Sequence, residues 1–184
     1  MKKITILVLT IMLGVNLNAQ HVFNKGTLLF NAGIGLGGLN AAGWIPSVNV
    51  SGEFGVIPTG DIGLVSFGGV VEYKYSNWSG VWTNTNYKYN YHQVIVGPRA
   101  YWHVHAFDSD KYDAYACVGG GVRFWTQYTN WDPAKQEYTS KAKVSPYGEF
   151  FVGGRMMFKE ALGIFAELGY SPLSIIRFGL TFGF

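Results

Sequence analysis

The chain has 184 residues, of which 48% are hydrophobic, 17% aromatic and only 14% charged, against about 25% charged in an ordinary soluble domain. That composition excludes a disordered chain, and a single cysteine, Cys117, excludes a disulfide scaffold. A formal charge of +3 with no basic run excludes a nucleic-acid partner.

In chain order, Lys2 and Lys3, the apolar stretch Ile4–Val15 and the triplet Leu17-Asn18-Ala19 form the three parts of a secretory leader. Residues 1–19 are expected to be removed, leaving 20–184 as one domain. The apolar stretch is too short for a membrane anchor, which takes about 20 apolar residues. No cysteine follows it, which excludes a lipoprotein. Losing Lys2 and Lys3 takes the formal charge from +3 to +1.

Beyond the leader the sequence alternates with period two. Eight segments are predicted as strands: 27–38, 47–57, 61–75, 88–105, 112–128, 143–158, 162–171 and 175–184. Tight turns at Ile57-Pro58-Thr59-Gly60, Asp108-Ser109-Asp110 and Lys159-Glu160 join them at one end. Longer connections at 39–46, 76–87 and 129–142, and a short one at Ser171-Pro172-Leu173-Ser174, join them at the other. No later segment has about 18 consecutive apolar residues, so no spanning helix is available. The predicted fold is all-β, a single eight-stranded antiparallel up-and-down transmembrane barrel with both termini on the short-turn, periplasmic side.

The two faces of the segments differ sharply. Phe178, Leu180, Phe182 and Phe184 alternate with Arg177, Gly179, Thr181 and Gly183. The same division recurs upstream. All four arginines (Arg99, Arg123, Arg155, Arg177) and four strand glutamates (Glu53, Glu72, Glu149, Glu167) fall on the polar face, with Lys74. The apolar face carries no charge within the body of a strand, and the other acids, including Asp61, Asp108, Asp110, Asp113 and Asp132, fall at turns, loops or strand ends. A soluble sandwich would scatter Lys and Thr over its solvent face, whereas this polar face is rich in Gly, Arg and Glu. It suits a narrow lumen, with the apolar face toward lipid, where a midplane charge costs about 2–4 kcal/mol. Closure is needed because an open sheet edge cannot be satisfied in hydrocarbon.

The leader, the eight alternating segments and the terminal run Phe178-Gly179-Leu180-Thr181-Phe182-Gly183-Phe184 resemble the small eight-stranded outer-membrane barrels of the OmpX, OmpW and opacity-protein type. The resemblance covers the whole mature chain. It implies a Gram-negative outer membrane, with lipid and lipopolysaccharide around the barrel. It also implies that Phe178, Leu180, Phe182 and Phe184 are a signal for the barrel-assembly machinery. Fold alone does not imply function.

Eight strands leave an interior just wide enough for side chains to fill. Hairpin register is expected to set Arg155 near Glu167, Arg123 near Glu149, and Arg177 near Glu53, since the planar guanidinium fork suits a carboxylate. The leading reading is a charge-paired core that holds the barrel, and the alternative is a gate in a narrow pore.

No catalytic or metal set is predicted, and no cofactor. His103 and His105 share a face beside Asp108 and Asp110, and are read as polar residues of a wet barrel mouth, because metal sites need three or four convergent ligands. No Ser–His–Asp set can be built around His92. Cys117 reads as a small core filler. Gly33-Ile34-Gly35-Leu36-Gly37-Gly38 lies in a strand with no helix after it, unlike a phosphate loop.

Tyr73, Tyr75, Trp102, Tyr128 and Tyr170 suit an interfacial girdle. Trp78, Trp82, Tyr87, Tyr89, Trp131 and Tyr138 belong to outer loops rich in aromatics and amides. Loops on a rigid scaffold are where recognition sits, so an extracellular ligand or protein partner is expected there. The function expected is a non-enzymatic outer-membrane protein serving surface interaction or envelope integrity. A narrow channel for small solutes is the alternative, and an enzyme at the rim acting on lipid is disfavoured. A secreted lipocalin-like barrel would need the two faces reversed.

Overall fold

The computed structural model describes residues 22–38, 45–82, 85–105, 109, 111–129, 140–159 and 161–184, with the side chains of 78–82, 85–88 and 129 excepted. Eight strands follow in chain order: β1 (Leu28–Leu36), β2 (Ser47–Pro58), β3 (Gly63–Trp82), β4 (Thr85–Val104), β5 (Tyr112–Thr129), β6 (Ser140–Lys159), β7 (Leu162–Tyr170) and β8 (Ile176–Gly183). Each pairs antiparallel with the next, and β8 pairs with β1 to close the barrel. The first and last strands meet at the seam, where Leu28 and Phe184 exchange backbone hydrogen bonds of 3.0 and 2.8 Å. That end is called the lower end below.

Side chains alternate as the sequence requires. Val48, Val50 and Phe54 of β2 face out, while Ser47, Asn49, Ser51 and Glu53 are buried. Phe178 and Leu180 of β8 face out, while Arg177 and Thr181 are fully buried. The outer surface is therefore a belt of Val, Ile, Leu and Phe. Around its edges stand Tyr73, Trp102, Tyr128 and Tyr170, between 37% and 48% exposed. The expected girdle residues thus lie on the outside of the barrel, where Tyr73 Oη meets His92 Nδ1 at 2.9 Å.

The barrel wall is uneven. β3, β4 and β6 have 20 residues each and β5 has 18, whereas β1 and β7 have 9 and β8 has 8. At about 3.4 Å per residue and a tilt of about 40°, twenty residues rise ~50 Å, roughly twice the apolar band of about 25 Å. The ladder between β6 and β7 ends at Phe150↔Tyr170, and that between β2 and β3 ends at Ser47↔Lys74. Above those points β3–β6 rise as a four-stranded sheet whose two edges have no strand partner among the described residues.

This corrects the expected loop at 76–87. The two strands run on through it, in register from Tyr75↔His92 to Trp82↔Thr85, and only 83–84 connects them. The tract Tyr87-Lys88-Tyr89-Asn90-Tyr91 sets an aromatic at every second position, a strand pattern in itself. Cross-strand pairs such as Trp78↔Tyr89 give those residues partners in the ladder.

Within the wall, the β4–β5 ladder lapses at Gly97 and Pro98. Proline has no N–H to give to a neighbouring strand. Pairing to β3 continues through both residues.

If the tall sheet stands on the barrel without supporting it, joining Asn77 to Asn90, which lie opposite each other, through an Asn-Gly turn should leave the barrel intact. Heat-modifiable migration on a gel checks this, and a variant that runs as unfolded chain without heating would show that the ribbon is part of the fold.

Candidate functional site

The charged interior fills the barrel in tiers. In the lowest tier, β2 supplies Glu53, β3 Ser66, β4 His103, β5 Asp113 and β6 Arg155, all buried. Arg155 Nη1 donates to Asp113 Oδ2 at 2.8 Å, and its Nη2 donates to Glu53 Oε1. His103 Nδ1 lies 3.0 Å from both Asp113 oxygens, and Nε2 lies 2.9 Å from Glu53 Oε2. Tyr115 lies under the Arg155 guanidinium at 4.1 Å from its ring centre.

In the middle tier Arg99 Nε donates to Glu149 Oε1 at 2.5 Å, and its Nη1 lies 3.4 Å from Glu167 Oε1. Tyr115 Oη donates to the same Glu167 oxygen at 3.1 Å. Tyr101, Tyr115, Cys117 and Phe151 pack as the apolar part of this tier. In the upper tier Arg177 meets three carboxylates: Glu72, Glu149 at 3.0 Å and Glu167 at 3.7 Å. Its guanidinium lies 4.2 Å from the Phe151 ring centre. Ser47 donates to Glu72 as well.

Glycines make these reaches feasible. Arg99, Gly119 and Glu149 sit side by side on β4, β5 and β6. A Cβ on Gly119 would stand 3.0 Å from both Arg99 Cγ and Glu149 Oε1, so only hydrogen there lets the pair meet across β5. Gly153 does the same between Tyr115 and Glu167.

Both ends of this column are stoppered. Below, the segment before β1 turns in under the barrel, tied by Gly26 N–H to Gly55 O at 2.9 Å. It places Phe23, 2% exposed, flat against His103 with ring centres 4.0 Å apart. Leu29 and Leu64 complete that plug. Above, the turn 171–174 between β7 and β8 lies across the lumen. Ser171, Leu173 and Ser174 are fully buried there. Lys74 Nζ holds the turn down by donating to Leu173 O at 3.1 Å and to Gly37 O at 2.5 Å.

The structure pairs the expected lumen residues differently from hairpin register. Arg155 meets Glu53 and Asp113 rather than Glu167, which lies beside Gly153. Arg177 meets Glu72 rather than Glu53. Through Gly35 it stands level with Ser47, six residues along β2 from Glu53. Arg123 lies opposite Ser145, four residues above Glu149. Its Nη2 donates to Gln93 Oε1, and it has no carboxylate partner among the described residues. Strand stagger carries the long side chains across the lumen rather than to the next strand. Lys74, expected to balance a carboxylate, spends its hydrogen bonds on backbone carbonyls.

His103, expected at a wet mouth, is fully buried, and Asp113, expected at a strand end outside the network, is part of it. The period-two alternation already set His103 with Arg99 and Tyr101, and Asp113 with Tyr115. Asp108 and Asp110 lie outside the described residues. So do Trp131 and Tyr138, and the side chains of Trp78, Trp82 and Tyr87. Tyr89 stacks on Tyr91 at 6.4 Å, and Tyr91 stacks on Trp125 at 5.8 Å. Phe178, Leu180, Phe182 and Phe184 line one outer edge of the seam, with Phe184 edge-on to Phe30 at 6.0 Å.

Ser66, His103 and Asp113 have the spacing of a nucleophile relay: Ser66 Oγ is 3.0 Å from His103 Nε2. Glu53 cancels it. Its Oε2 accepts from Ser66 Oγ at 2.7 Å, which takes the hydroxyl proton away from the ring. A carboxylate that close would also repel the oxyanion of an acyl-transfer intermediate, and Ser66 is fully buried. Arg155 is already the cation between Glu53 and Asp113.

Above the lid a cavity of about 510 Å³ opens between Arg123, Tyr147, Glu149, Phe150, Tyr170 and Pro172. It is lined by both faces of β6, which among the described residues has no strand partner on that side beyond Tyr170.

No protein-family model matches the chain, and no curated protein matches it. Among solved structures it is similar to Ail, the attachment invasion locus protein of Yersinia pestis, in two crystal structures. In complex with the heparin analogue sucrose octasulfate, identity is 10% over 88% of this chain and all of that one, with a TM-score of 0.47. For Ail alone, identity is 13% over the same shares, with a TM-score of 0.48. The N-terminal β-barrel domain of Pseudomonas aeruginosa OprF is 11% identical over 87% of this chain and 98% of that one, with a TM-score of 0.49. At such identities the likeness concerns the fold alone.

Breaking one member of the network should cost more than removing lipid-belt volume. Arg155→Ala strands Glu53 and Asp113 and is expected to lower unfolding stability by about 3–5 kcal/mol. Val152→Ala, at a site 47% exposed on the outside, should cost under about 1 kcal/mol. Equal urea midpoints for the two would sink the idea. Gly119→Ala should cost about 1–3 kcal/mol, while Gly148→Ala, whose Cβ meets nothing nearer than 3.9 Å, should cost little. The same titrations separate them.

Proposed function

We propose that this chain is an integral protein of the bacterial outer membrane, non-enzymatic, with a lumen that is solid packing and a tall outer sheet that serves surface interaction or envelope integrity. The observation that carries the reading is the inversion of its two faces. The outside is an uncharged belt of Val, Ile, Leu and Phe, and the inside holds Arg99, Arg155, Arg177, Glu53, Glu72, Glu149 and Glu167, each at most 5% exposed. Such an apolar belt is costly in water and is what a hydrocarbon surround requires. Lipid and lipopolysaccharide are its surroundings in this reading, and residues 1–19 are the export leader removed on the way. The outward run Phe178, Leu180, Phe182, Phe184 is the segment offered to the barrel-assembly machinery.

A closed lumen follows from the stoppers. Ions crossing the barrel would have to pass Phe23, the Glu53–Arg155–Asp113 cluster, the Arg177 cluster and the Leu173 lid. Recognition then falls to the sheet above the belt, where Tyr89, Tyr91 and Trp125 stack. Trp78, Trp82, Tyr87, Trp131 and Tyr138 are its further aromatic candidates for an extracellular ligand or protein partner.

Refolded protein comprising residues 20–184 should be silent in a planar bilayer while migrating as a heat-modifiable barrel. Discrete current steps that change with Arg99 or Arg123 substitution would overturn the closed lumen and make the chain a narrow channel.

A further inference from the structure

Arg123 is the arginine of the interior that the network leaves out. Arg99, Arg155 and Arg177 each meet two or three carboxylates. Among the described residues Arg123 has the amide oxygen of Gln93 as its one acceptor, and its buried Nε has no hydrogen-bond partner. Tyr147, on the next strand, has a buried hydroxyl that is also without a partner. Both groups line the 510 Å³ cavity above the lid. A buried donor without an acceptor is costly, so two of them on residues that line one cavity mark a place for an acceptor. The third polar wall, Glu149, already accepts from Arg99 at 2.5 Å and Arg177 at 3.0 Å, so its charge is spoken for.

The surroundings fix the class of that acceptor. Lys141 and Lys143 lie above on the same face of β6 as Tyr147, both exposed, and neither has an ion pair among the described residues. They extend the positive field of Arg123 toward the mouth. On the outer side, the cavity passes the free edge of β6 and meets Phe150 and Tyr170, 49% and 41% exposed, at the top of the apolar belt. A ligand seated there would have its anionic end on Arg123 and Tyr147 and its apolar part over Phe150 and Tyr170.

We propose that this window in the barrel wall binds the phosphate of an amphiphile, with the headgroup inside the cavity and the chain against the belt. Arg123 offers its unpartnered Nε–H to one phosphate oxygen, and Tyr147 Oη–H reaches a second. The proposal rests on the membrane reading of the barrel and supplies it with a specific lipid contact at headgroup level.

The test uses the refolded barrel in maltoside micelles, with ¹⁵N-labelled arginine and the Arg123 Nε–H resonance assigned through Arg123→Lys. Dodecyl phosphate should shift that resonance saturably. Isothermal titration calorimetry, which needs no Arg123 resonance, follows the variants: binding should weaken about tenfold or more in Arg123→Gln, the worth of one charge-assisted hydrogen bond, and about fivefold in Tyr147→Phe, which keeps the ring and its packing. Inorganic phosphate should need far higher concentrations. If inorganic phosphate binds as well as dodecyl phosphate, the ligand is a free anion and the lipid assignment is overturned. If neither shifts the resonance in a heat-modifiable barrel, the site itself is overturned. A chain that never becomes heat-modifiable would instead remove the membrane reading beneath it.

Discussion

Closing eight strands into a ring fixes the cross-section of the space inside before any side chain is chosen. That space is too narrow for water to solvate what lines it. An inward charge therefore has no solvent to return to and must find its opposite within the column. Most of the interior follows from this constraint. It explains why arginine, which can face two carboxylates in one plane, outnumbers lysine inside, and why phenyl and phenol rings lie against the guanidiniums. It also explains why glycine recurs between charged residues on adjacent strands. The Arg99–Gly119–Glu149 line shows the three roles together, with a donor, an acceptor and an absence of side chain between them.

The same constraint divides the molecule into a sealed part and an open part. Below the Leu173 lid each arginine meets at least two carboxylates. Above it the short strands stop and the tall ones continue, so the column loses half its wall. Arg123 belongs to the upper part. It carries the residue type of the core in a place where the core's carboxylates do not reach. The division also bears on how the barrel sits in its surroundings. The low wall of β7, β8 and β1 ends at the top of the apolar belt, while the opposite side projects well past it.

The architecture was legible in the sequence because period two is strict here, and because lipid and lumen make opposite demands on alternate residues. Strand number, direction and closure and the identity of most inward charges all follow from it. The pairing did not, because register in a barrel is set by tilt and stagger summed around the ring, and hairpin turns report only one neighbour at a time. Arg155 and Glu167 lie one step apart by hairpin count, yet Arg155 turns to Glu53, more than a hundred residues earlier in the chain. The ribbon beyond Tyr75 was missed because amides and aromatics between two strands read as a loop, although Tyr87, Tyr89 and Tyr91 already alternate. Asp113 and His103 were assigned by their nearness to a turn instead of by their parity. The plug and the lid carry no periodic signal at all, since each is a single side chain or turn placed by tertiary packing.

Arg177 stands in the last strand and binds carboxylates from β3, β6 and β7, the first of them 105 residues away. Until that strand arrives, Glu149 and Glu167 have Arg99 between them, and Glu72 lacks the guanidinium that ties it to them. A chain stopped short of β8 lacks more than a seam. Its Glu72 loses the Arg177 guanidinium, so part of the interior charge stays unmatched until β8 is in place. Such long-range dependence predisposes the chain to slow, highly cooperative closure rather than strand-by-strand accumulation.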